Sequence, residues 1–493
     1  MAWLPSSGLI SVIYLAIIAL ICRWLFKLWI NILQLPPGPW GIPIVGYLPW
    51  LSNKAYLDFI EIGKKYGGLF SIKLGNETVV VLNDWPTIKA CLVDKSKTFS
   101  GRPFNIMVNT FGNRKDITFA DGPVWQKQRN LTIKCMKNAG VGKSAIQIYI
   151  LEMVDQIMDF LKQSDGKAVF LNTIIANSVF AFTWKLISSI ELAENADEMK
   201  KITKHFRIIL NALRSDNPVT YFPILRFCPP NGFGYWKYQK SLKKYHWFLR
   251  RVLDKYKEQS SPKYGVVDYY IEEIKQNDSK NPPYNADYLI GVMADLMVAT
   301  GDTSIASTLW GFLYLVLYPE VQQKVQSELD KVIGRERLPT IEDMPRLPYL
   351  NAVTMEIYRM SSIVTLSIPH STLEKVQVND CVIPKRTTCI INLYAVHHDP
   401  KLWDEPELFK PERFLNEDNE VQSFPYLIPF SVGARQCIGQ SLGDVELRLI
   451  FSCILHRFTL SLPENMPKPS LESTAEVSIK PLPYSVYVKC RKS

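Results

Sequence analysis

A single cysteine lies between two glycines and an arginine in segment 430–439, which reads FSVGARQCIG. Cys437 precedes an apolar run with helical spacing, so its thiol is predicted at a helix N-terminus, where free N–H groups and the helix dipole stabilise a thiolate. Gly433 and Gly439 would let the backbone wrap closely around the sulfur and a flat ligand, and Arg435 supplies a cation for an anionic group of that ligand. Such a thiolate is suited to be the axial ligand of an iron. The alternative is a small buried hydrophobic side chain, which we expect for the other eight cysteines.

An acid and a hydroxyl interrupt a second apolar segment. Residues 285–318 predict one long helix, with Asp302 and Thr303 near its middle. The Thr303 hydroxyl can donate to the carbonyl oxygen of Ala299, four residues earlier, which would loosen the helix locally and admit water. Asp302 would then give protons a route into the helix interior. The pair therefore predicts a site of proton transfer.

The composition limits the class of protein. A chain of 493 residues with 47% hydrophobic and 21% charged residues is typical of a folded globular protein. The nine cysteines are scattered and contain no CxxC pair, which argues against a disulfide framework or a zinc ribbon and favours a reducing compartment. The formal net charge is +10. Because the sequence contains no recognisable nucleic-acid-binding module, we expect this charge to serve an acidic protein partner and the membrane, and no nucleic acid.

The N-terminus predicts a membrane anchor. No charged residue occurs from Met1 to Cys22, and this apolar run is long enough to span a bilayer as a helix. Arg23 and Lys27 follow it, which places that flank in the cytosol by the positive-inside rule. We therefore expect a retained single-pass anchor at 1–24, a stiff proline-rich hinge at 35–49, and one cytosolic domain at 50–493.

Helical periodicity dominates the rest of the chain. β-rich runs are short and lie near 69–82, 372–391 and 476–490, so we expect a mainly α fold with small β-sheets. Segment 140–144 is similar to the end of a phosphate-binding loop, but it lacks the first glycine and follows a helix, so we predict a turn between helices. The segments with the clearest helical spacing are 54–66, 122–139, 145–164, 167–187, 194–214, 235–259, 285–318, 319–333, 348–361 and 438–456.

Five motifs in a fixed order carry a resemblance to a known family. Segment 430–439 matches FxxGxRxCxG at every fixed position. The other four are Trp125-x-x-x-Arg129, ATGDTS at 299–304, Glu356-x-x-Arg359, and PERF at 411–414. Together they resemble the cytochrome P-450 family of haem-thiolate monooxygenases, and the anchor and hinge resemble those of its microsomal branch. The segments TYFPIL at 220–225 and HHDPKLWDEPELFKPERF at 397–414 resemble the animal clan that handles drugs, steroids and fatty acids. The resemblance runs from about residue 1 to 490 and implies the cytochrome P-450 fold for the catalytic domain at 50–493, preceded by one transmembrane helix.

The resemblance implies haem b, iron protoporphyrin IX, as the cofactor, with Cys437 as the iron ligand. Its two acidic propionates need cations or strong donors in an apolar pocket. By resemblance His370 is one such ligand, and the alternative is an ordinary core histidine. The residues expected to bind the cofactor are Trp125, Arg129, His370, Phe430, Gly433, Arg435 and Gly439.

A structural network is also implied. Glu356 and Arg359 are one helical turn apart and share a face. With Arg413, the pair would form a buried network that fixes the loop before Cys437. The alternative is a set of solvated helix charges, and such surface pairs contribute only about 0–1 kcal/mol.

The chain departs from the family at 299–303, where ATGDT replaces the usual Ala-Gly-x-Asp-Thr. Because residues 299, 300 and 303 share one side of the helix, we expect the branched Thr300 to narrow the cavity above the iron and restrict substrate approach. By resemblance, pocket walls lie at 104–118, 205–235, 292–303, 364–368 and 477–480, with plain core packing as the alternative for each residue. The expected substrate-contacting residues are Phe104, Met107, Phe111, Val298, Ala299, Thr300, Val364 and Leu366.

The resemblance implies a monooxygenase of the endoplasmic reticulum membrane that inserts one atom of dioxygen into a lipophilic small molecule, by hydroxylation or epoxidation of a steroid, terpenoid, fatty acid or xenobiotic. Thr303 would steer protons and Asp302 would relay them. Electrons would come from NADPH-cytochrome reductase, attracted by Lys127, Lys134 and Lys137, with cytochrome b5 as a second partner. The alternatives are an isomerase or dehydratase that does not use dioxygen, and a non-catalytic haem-binding protein.

Overall fold

A computed structural model describes residues 34–188, 196–214, 217–258, 264–277, 281–464 and 466–492, together with Leu15, Ala16, Ala19 and Arg23. The backbone alone is described for 196–200 and 257–258. Apart from those four residues, the predicted anchor at 1–24 lies outside the described residues.

The described chain is mainly helical, as the sequence predicts. The helices are α1 (Ala55–Tyr66), α2 (Trp85–Ile88), α3 (Ile106–Gly112), α4 (Gly122–Asn138), α5 (Ile146–Gln163), α6 (Asn172–Ile187), α7 (Ala196–Ala212), α8 (Pro218–Tyr221), α9 (Tyr235–Glu258), α10 (Val266–Gln276), α11 (Ala286–Leu317), α12 (Pro319–Val332), α13 (Pro348–Ser361), α14 (Leu393–His397) and α15 (Gln440–Arg457).

Helical spacing places apolar residues on one face of each amphipathic helix. In α5, the buried residues Ile150, Val154, Ile157 and Leu161 recur every three or four positions, which keeps them on the side that faces the core. α4 ends at Asn138 and α5 begins at Ile146, so the predicted turn at 140–144 is confirmed. The sequence did not predict α2, α3, α8, α10 or α14, which have between 4 and 11 residues.

Within the described residues, the strands form three small sheets. A four-stranded sheet has the order β1-β2-β7-β4, a three-stranded sheet has the order β3-β9-β8, and β5 pairs with β6. The prediction of β structure near 69–82, 372–391 and 476–490 is confirmed. The predicted helix 167–187 is partly wrong, because β3 occupies its first residues and the observed helix α6 begins at Asn172. The strands are β1 (Leu69–Leu74), β2 (Glu77–Leu82), β3 (Ala168–Phe170), β4 (His370–Ser371), β5 (Val376–Val378), β6 (Cys381–Ile383), β7 (Thr388–Ile391), β8 (Phe458–Ser461) and β9 (Ser485–Cys490).

The long helix α11 is the centre of the core. It packs against α6, α13 and α15 and is apolar on all sides, as expected for a helix covered by neighbours all round. Gly311 allows one close approach, because a Cβ there would overlap the ring of Phe451 on α15. Within the described residues α11 is the one helix long and apolar enough to cross a membrane, and 72% of its most apolar window is buried inside the protein. We therefore interpret it as a core helix.

The proline-rich segment 35–49 lies against β1. Ser71 donates its backbone N–H to Pro37 O at 3.0 Å and its hydroxyl to Pro36 O at 2.6 Å. Farther along, Tyr47 donates its N–H to Lys73 O at 2.7 Å. The segment predicted as a hinge is thus hydrogen-bonded to the edge of the larger sheet.

Candidate active site

The cysteine of segment 430–439 closes a turn that leads into α15. The backbone N–H of Cys437 donates to Phe430 O at 3.0 Å, and the N–H of Gly439 donates to Cys437 Sγ at 3.3 Å. Because α15 begins at Gln440, the sulfur lies at a helix N-terminus, where the sequence places it. An amide hydrogen bond to the sulfur favours its anionic form.

The electrostatics of Cys437 combine opposing effects. Burial raises the pKa of its thiol, while the Gly439 amide and the Arg129 guanidinium act to lower it. The residue is exposed on one side, and a metal ion that coordinates a thiol deprotonates it outright. Among the other described cysteines, Cys228, Cys381 and Cys490 are half-buried, which corrects the expectation that all of them are buried; those that are buried are Cys91, Cys135, Cys389 and Cys453.

The two glycines of the cysteine turn, Gly433 and Gly439, differ in how closely neighbouring atoms approach them. Gly433 has φ +78°, and a Cβ at this position would overlap the carbonyl oxygen of Leu92. Its small size therefore serves a close approach of two backbone segments, in addition to the predicted role of the turn around a ligand. A Cβ on Gly439 would lie 3.7 Å from Cys437 Sγ, an ordinary contact. Phe430 supports the turn from the other side, with its ring 5.2 Å from that of Tyr358.

Arg435 lies in a dense set of backbone acceptors. Its guanidinium donates to Ser100 O at 2.7 Å, to Ile117 O at 3.2 Å and to Ala120 O at 2.6 Å. It also lies 3.6 Å above the ring centroid of Trp125. Burial, with the charge of Arg102 as a second cause, lowers the pKa of Arg435 to about 7. A buried cation destabilised in this way needs an anionic partner.

Arg102 is a second buried cation, which the sequence analysis missed. It is only 4% exposed and donates to Thr118 O, Ile368 O and Pro369 O at 2.8 to 3.0 Å. Burial lowers its pKa to about 9. Arg102 stands in no recognised motif, so only the fold reveals that it approaches Arg435. In the part of the chain that the structure describes, neither arginine forms an ion pair with a carboxylate.

The neighbouring predicted residues complete this cluster. Trp125 is buried, and its Nε1 donor has no hydrogen-bond partner among the described residues. Arg129 donates to Gln436 O at 2.6 Å, which ties α4 to the cysteine turn. The Nδ1 atom of His370 lies 2.8 Å from Phe99 O, and burial together with Arg102 and Arg435 holds the pKa of His370 well below its ordinary value. His370 is therefore neutral with Nδ1 as donor, and its Nε2 would have to gain a proton to donate to an anion.

These residues fit the carboxylates of a haem. Buried guanidiniums of Arg102 and Arg435 without ion pairs, and an unpaired indole N–H on Trp125, are the donors that two buried propionates require. The Cys437 sulfur is accessible, faces an amide donor and belongs to the same turn as Arg435. The hydrogen-bond donors for the propionates and the sulfur that could bind the iron therefore occur together.

A buried acid fixes the segment that supplies these carbonyl groups. Asp295 of α11 accepts from the backbone N–H groups of Ile117 and Thr118 at 2.5 and 2.9 Å. Gly291, one turn earlier, lets the chain pass close by, because a Cβ there would overlap Lys115 O. The segment that bonds to Arg435 is thereby fastened to α11.

The predicted oxygen site forms an accessible strip on the otherwise buried α11. Ala299 is exposed, Thr300 and Thr303 are half-buried, and Gly301 and Asp302 between them are buried. Residues 299, 300 and 303 therefore face one side, as the sequence predicts. The Thr303 hydroxyl donates to Ala299 O at 2.5 Å, also as predicted. α11 nevertheless stays α-helical throughout, so the expected local loosening is not seen as a break.

Two ionisable residues beside this strip were missed by the sequence analysis. Lys480 forms an ion pair with Asp302, with Nζ 2.7 Å from Oδ1. Glu446 of α15 is fully buried and accepts the Ser304 hydroxyl at 2.8 Å, and burial raises its pKa to about 8. No local pattern indicated either residue, because Glu446 lies between the charged Asp444 and Arg448 of α15 and only the fold shows that it is buried.

The predicted charge network is buried. Arg359 donates to both oxygens of Glu356 at 2.7 and 2.8 Å, and Arg413 approaches Glu356 at 3.2 Å. The side chains of Glu356 and Arg359 have no exposed surface, so the alternative of solvated helix charges is wrong. Arg359 also donates to His397 O, and the His397 ring accepts the N–H of Ile428 at 3.0 Å. Through His397 the network reaches the segment just before the cysteine turn.

The predicted substrate residues are placed unevenly. Met107 and Phe111 of α3 are buried at 1% exposure and belong to the same apolar core as α11. Phe104 is 73% exposed and packs under the guanidinium of Arg114, so it lies apart from them. Leu366 packs against the apolar cluster of the larger sheet. The remaining members, Val298 and Val364, are half-buried, as is Thr300, while Ala299 is exposed.

Comparison with known proteins gives the same family as the motifs. The model of the family "Cytochrome P450" matches residues 36–488. Cytochrome P450 18a1 of Drosophila melanogaster is 31% identical over 97% of this chain and 91% of its own length. Human cytochrome P450 2U1 is 31% identical over 93% and 89%, and the farnesoate epoxidase of Bombyx mori is 30% identical over 93% and 94%.

The match covers the helical body, the cysteine turn and the buried charge network. Members of this family hold haem through a cysteine thiolate, and the donor set around Arg435 and Trp125 fits that cofactor. The chain therefore belongs to the cytochrome P450 family and is a haem-binding monooxygenase.

Proposed function

We propose that this protein inserts one atom of dioxygen into a lipophilic small molecule at the endoplasmic reticulum membrane, with electrons from an NADPH-dependent flavoprotein reductase. The observation that carries the proposal is the combination of two features. One is the accessible Cys437 sulfur beside buried, ion-pair-free arginines. The other is the accessible strip of Ala299, Thr300 and Thr303 on a core helix.

In this proposal the chain holds haem b by named contacts. Cys437 is the iron ligand, and Trp125, Arg129 and Arg435 bind the propionates, with Arg102 added to the set. His370 joins them when a propionate arrives, because the anion favours the protonated ring whose Nε2 can donate. Phe430, Gly433 and Gly439 keep the turn in shape. When bound, the haem supplies the activation of dioxygen and the transfer of one oxygen atom to the substrate.

The residues of α11 move the protons that dioxygen cleavage consumes. Thr303 orients a proton donor at the accessible strip, and Asp302 relays protons from the opposite side of the helix. An acid and a hydroxyl at this position favour a monooxygenase over a haem isomerase or dehydratase, whose chemistry needs no such relay. They equally favour an enzyme over a non-catalytic haem-binding protein.

The substrate is apolar and is held mainly by shape. Met107, Phe111, Val298, Val364 and Leu366 are the proposed apolar contacts, and they offer no buried charge for a polar substrate. The relatives named farnesoate epoxidase and steroid 17-alpha-hydroxylase/17,20 lyase support a terpenoid or steroid-sized molecule, and hydroxylation or epoxidation as the reaction.

The reductase is proposed to dock on the exposed side of α4, and cytochrome b5 on the same face. Lys127 and Lys137 are exposed there, whereas Lys134 forms an ion pair with Glu273 of α10. The charge available to attract an acidic partner is therefore concentrated on Lys127 and Lys137. Lys127→Glu should slow reduction at low salt more than at high salt, because screening weakens steering.

An exposed apolar patch supports membrane contact by the body of the protein. We call the set Trp40, Ile42, Ile44, Trp50, Ile224 and Phe227 the apolar patch; each member is about half exposed or more. Its two parts adjoin, because Gly75 donates its backbone N–H to Val45 O at 3.0 Å and lies against the side chain of Phe222. Contiguous exposed apolar surface is typical of a membrane or protein contact.

Labelled dioxygen tests the proposal directly. The full-length protein with a reductase, NADPH and a panel of steroids, terpenoids, fatty acids and pesticides should give at least one product that carries one labelled oxygen atom. A product that forms without NADPH and carries no label would favour the isomerase alternative. NADPH consumption that no panel member increases would favour a non-catalytic haem-binding protein.

A further inference from the structure

Lys480 connects Asp302 with the protein surface. Its Nζ lies 2.7 Å from Asp302 Oδ1 and 2.6 Å from Glu476 Oε2. The side chains of Asp302, Lys480 and Glu476 are 10%, 18% and 39% exposed, so exposure rises stepwise away from α11. The three residues form a continuous chain of charged groups from the core helix to water.

The backbone holds Lys480 in this direction. Thr474 donates its N–H to Lys480 O at 2.8 Å, and its hydroxyl accepts the N–H of Lys480 at 3.1 Å. The preceding residue, Ile479, donates to Ile363 O, and its carbonyl accepts the indole N–H of Trp310 on α11 at 3.0 Å. The loop that carries Lys480 is therefore closed and fastened to α11, and the two carboxylates hold its ammonium group.

The largely buried Lys480 keeps its charge because two carboxylates lie beside it. Burial acts to lower the pKa of Lys480, and the carboxylates of Asp302 and Glu476 outweigh it, so that the pKa lies above its ordinary value. Lys480 is therefore an ammonium at neutral pH. If it were replaced by an apolar side chain, Asp302 would be left as a buried carboxylate without a counter-ion.

We propose that Lys480 is a positioning residue for proton delivery, which holds the Asp302 carboxylate at the side of α11 and connects it through Glu476 to bulk water. This inference rests on the relay role proposed above for Asp302. Asp302 takes up a proton from water that reaches it beside Glu476 and passes one on toward the accessible strip, so each proton delivered is replaced from solvent. The Lys480 ammonium keeps its own protons and holds the carboxylate in place.

The test compares the coupling of NADPH consumption to product in the haem-loaded full-length protein with reductase. Testosterone, lauric acid and farnesol are the probes, and the one that shifts the haem spectrum is used. Lys480→Met and Asp302→Asn should each lower product per NADPH by about fivefold and raise hydrogen peroxide correspondingly, because protonation contributes to the rate of the productive branch. The solvent isotope effect on product formation should increase in both. The double variant should be no worse than either single variant, since the two residues act as one unit.

Two matched variants separate a positioning effect of Lys480 on Asp302 from a general loss of structure in the loop. Lys480→Arg keeps the cation and should stay within about twofold of the parent coupling. Lys468→Met removes an exposed lysine that precedes the same loop and should change nothing. A thermal double-mutant cycle on Lys480 and Asp302 gives a readout independent of turnover, and the two midpoint shifts should be non-additive.

The outcomes separate the relay role of Asp302 from the positioning role of Lys480. If Asp302→Asn forms as much product per NADPH as the parent protein, the relay role of Asp302 itself is wrong. If Asp302→Asn is uncoupled but Lys480→Met behaves like Lys468→Met, only the role of Lys480 is overturned. Should Lys480→Met fail to accumulate with haem, Glu476→Gln decides: a reduced coupling with a larger solvent isotope effect supports the chain, and parent behaviour overturns it.

Discussion

Single residues determine whether the site receives its cofactor and how open it is. Arg435 stacks on Trp125 at 3.6 Å and bonds to three carbonyl groups, so its guanidinium is already oriented before any anion binds. Preorganised donors of this kind bind an anion without a loss of side-chain freedom. The unpaired indole N–H of Trp125 is the clearest sign that a ligand belongs there. At the opposite strip, the half-buried Thr300 is the residue that departs from the family pattern.

Thr300→Gly should broaden the positions at which a substrate is oxidised. The variant removes the branched side chain from the accessible strip while the adjacent Asp302 and Thr303 stay in place. The ratio of regioisomeric products measures the effect. Thr300→Ser is the matched variant, because it keeps the hydroxyl and removes only the methyl group. An unchanged product ratio in Thr300→Gly would rule out a role for Thr300 in substrate approach.

At the scale of elements, buried charges join helices and loops. Glu356 accepts from Arg359, from Arg413 and from the backbone N–H of Lys410 at 2.9 Å, so α13 is fastened to segment 404–414. His397 extends the connection to Ile428 and the cysteine turn. A second connection joins α11 and α15 through Ser304 and Glu446.

Glu356→Gln should prevent the accumulation of haem-loaded protein. The change leaves two guanidinium groups near a neutral amide in the core, and breaking a buried charge network costs about 3–5 kcal/mol of unfolding free energy. Haem content per polypeptide after expression is the measurement. Glu61→Gln is the control, because Glu61 forms the same three-residue spacing with Lys64 on an exposed face, at 68% and 67% side-chain exposure. Equal haem content in both variants would contradict the role assigned to the network.

The α11–α15 contact predicts a pH dependence of stability. Glu446 has a pKa raised to about 8 by burial, against an ordinary value of 4.5. Between these values the unfolded chain releases this proton and the folded protein keeps it, so the unfolding free energy falls as pH rises, by about 1.4 kcal/mol per pH unit. Glu446→Gln should flatten this slope between pH 6 and 8, as measured by denaturant unfolding at each pH. Parallel pH profiles for the parent and Glu446→Gln would show that Glu446 is ionised in the folded protein.

The sequence predicts elements better than contacts between them. Boundaries of α4, α9 and α13 lie within one or two residues of the predicted segments, because each has a continuous helical period that ends at a polar or glycine-rich turn. The cysteine turn and the hydroxyl bond of Thr303 were predictable since both are local. The contacts of Arg102, Lys480 and Gly433 were not predictable. Each is made with a residue more than a hundred positions away in the chain, and no local pattern places that residue nearby.

The whole molecule combines a helical body with a predicted N-terminal anchor and the apolar patch. The net charge of +10 suits an anionic membrane surface as well as an acidic reductase. Segment 35–49 lies on β1 and itself contributes Trp40, Ile42 and Ile44 to the apolar patch, so the start of the body carries exposed apolar surface. The body and the anchor would therefore meet the membrane on the same side.

Deletion of residues 1–24 should leave a haem-loaded protein that still binds anionic vesicles, because the apolar patch remains. Combined Ile224→Asp and Phe227→Asp substitutions in this shortened chain should release it from vesicles in a sedimentation assay. Lys468→Glu, at an exposed site outside the patch, is the control for added negative charge. A shortened chain that does not bind vesicles even before these substitutions would show that the patch makes no membrane contact.

The reduced, carbon-monoxide-treated absorption spectrum tests the central claim, which is that the Cys437 sulfur binds the haem iron. The full-length protein should show the red-shifted Soret band that thiolate ligation produces, and Cys437→Ser should lose that band. Cys490→Ser, at a half-buried cysteine of β9, should keep it. A parent protein that binds haem without the thiolate band, or a Cys437→Ser variant that keeps it, would contradict the account.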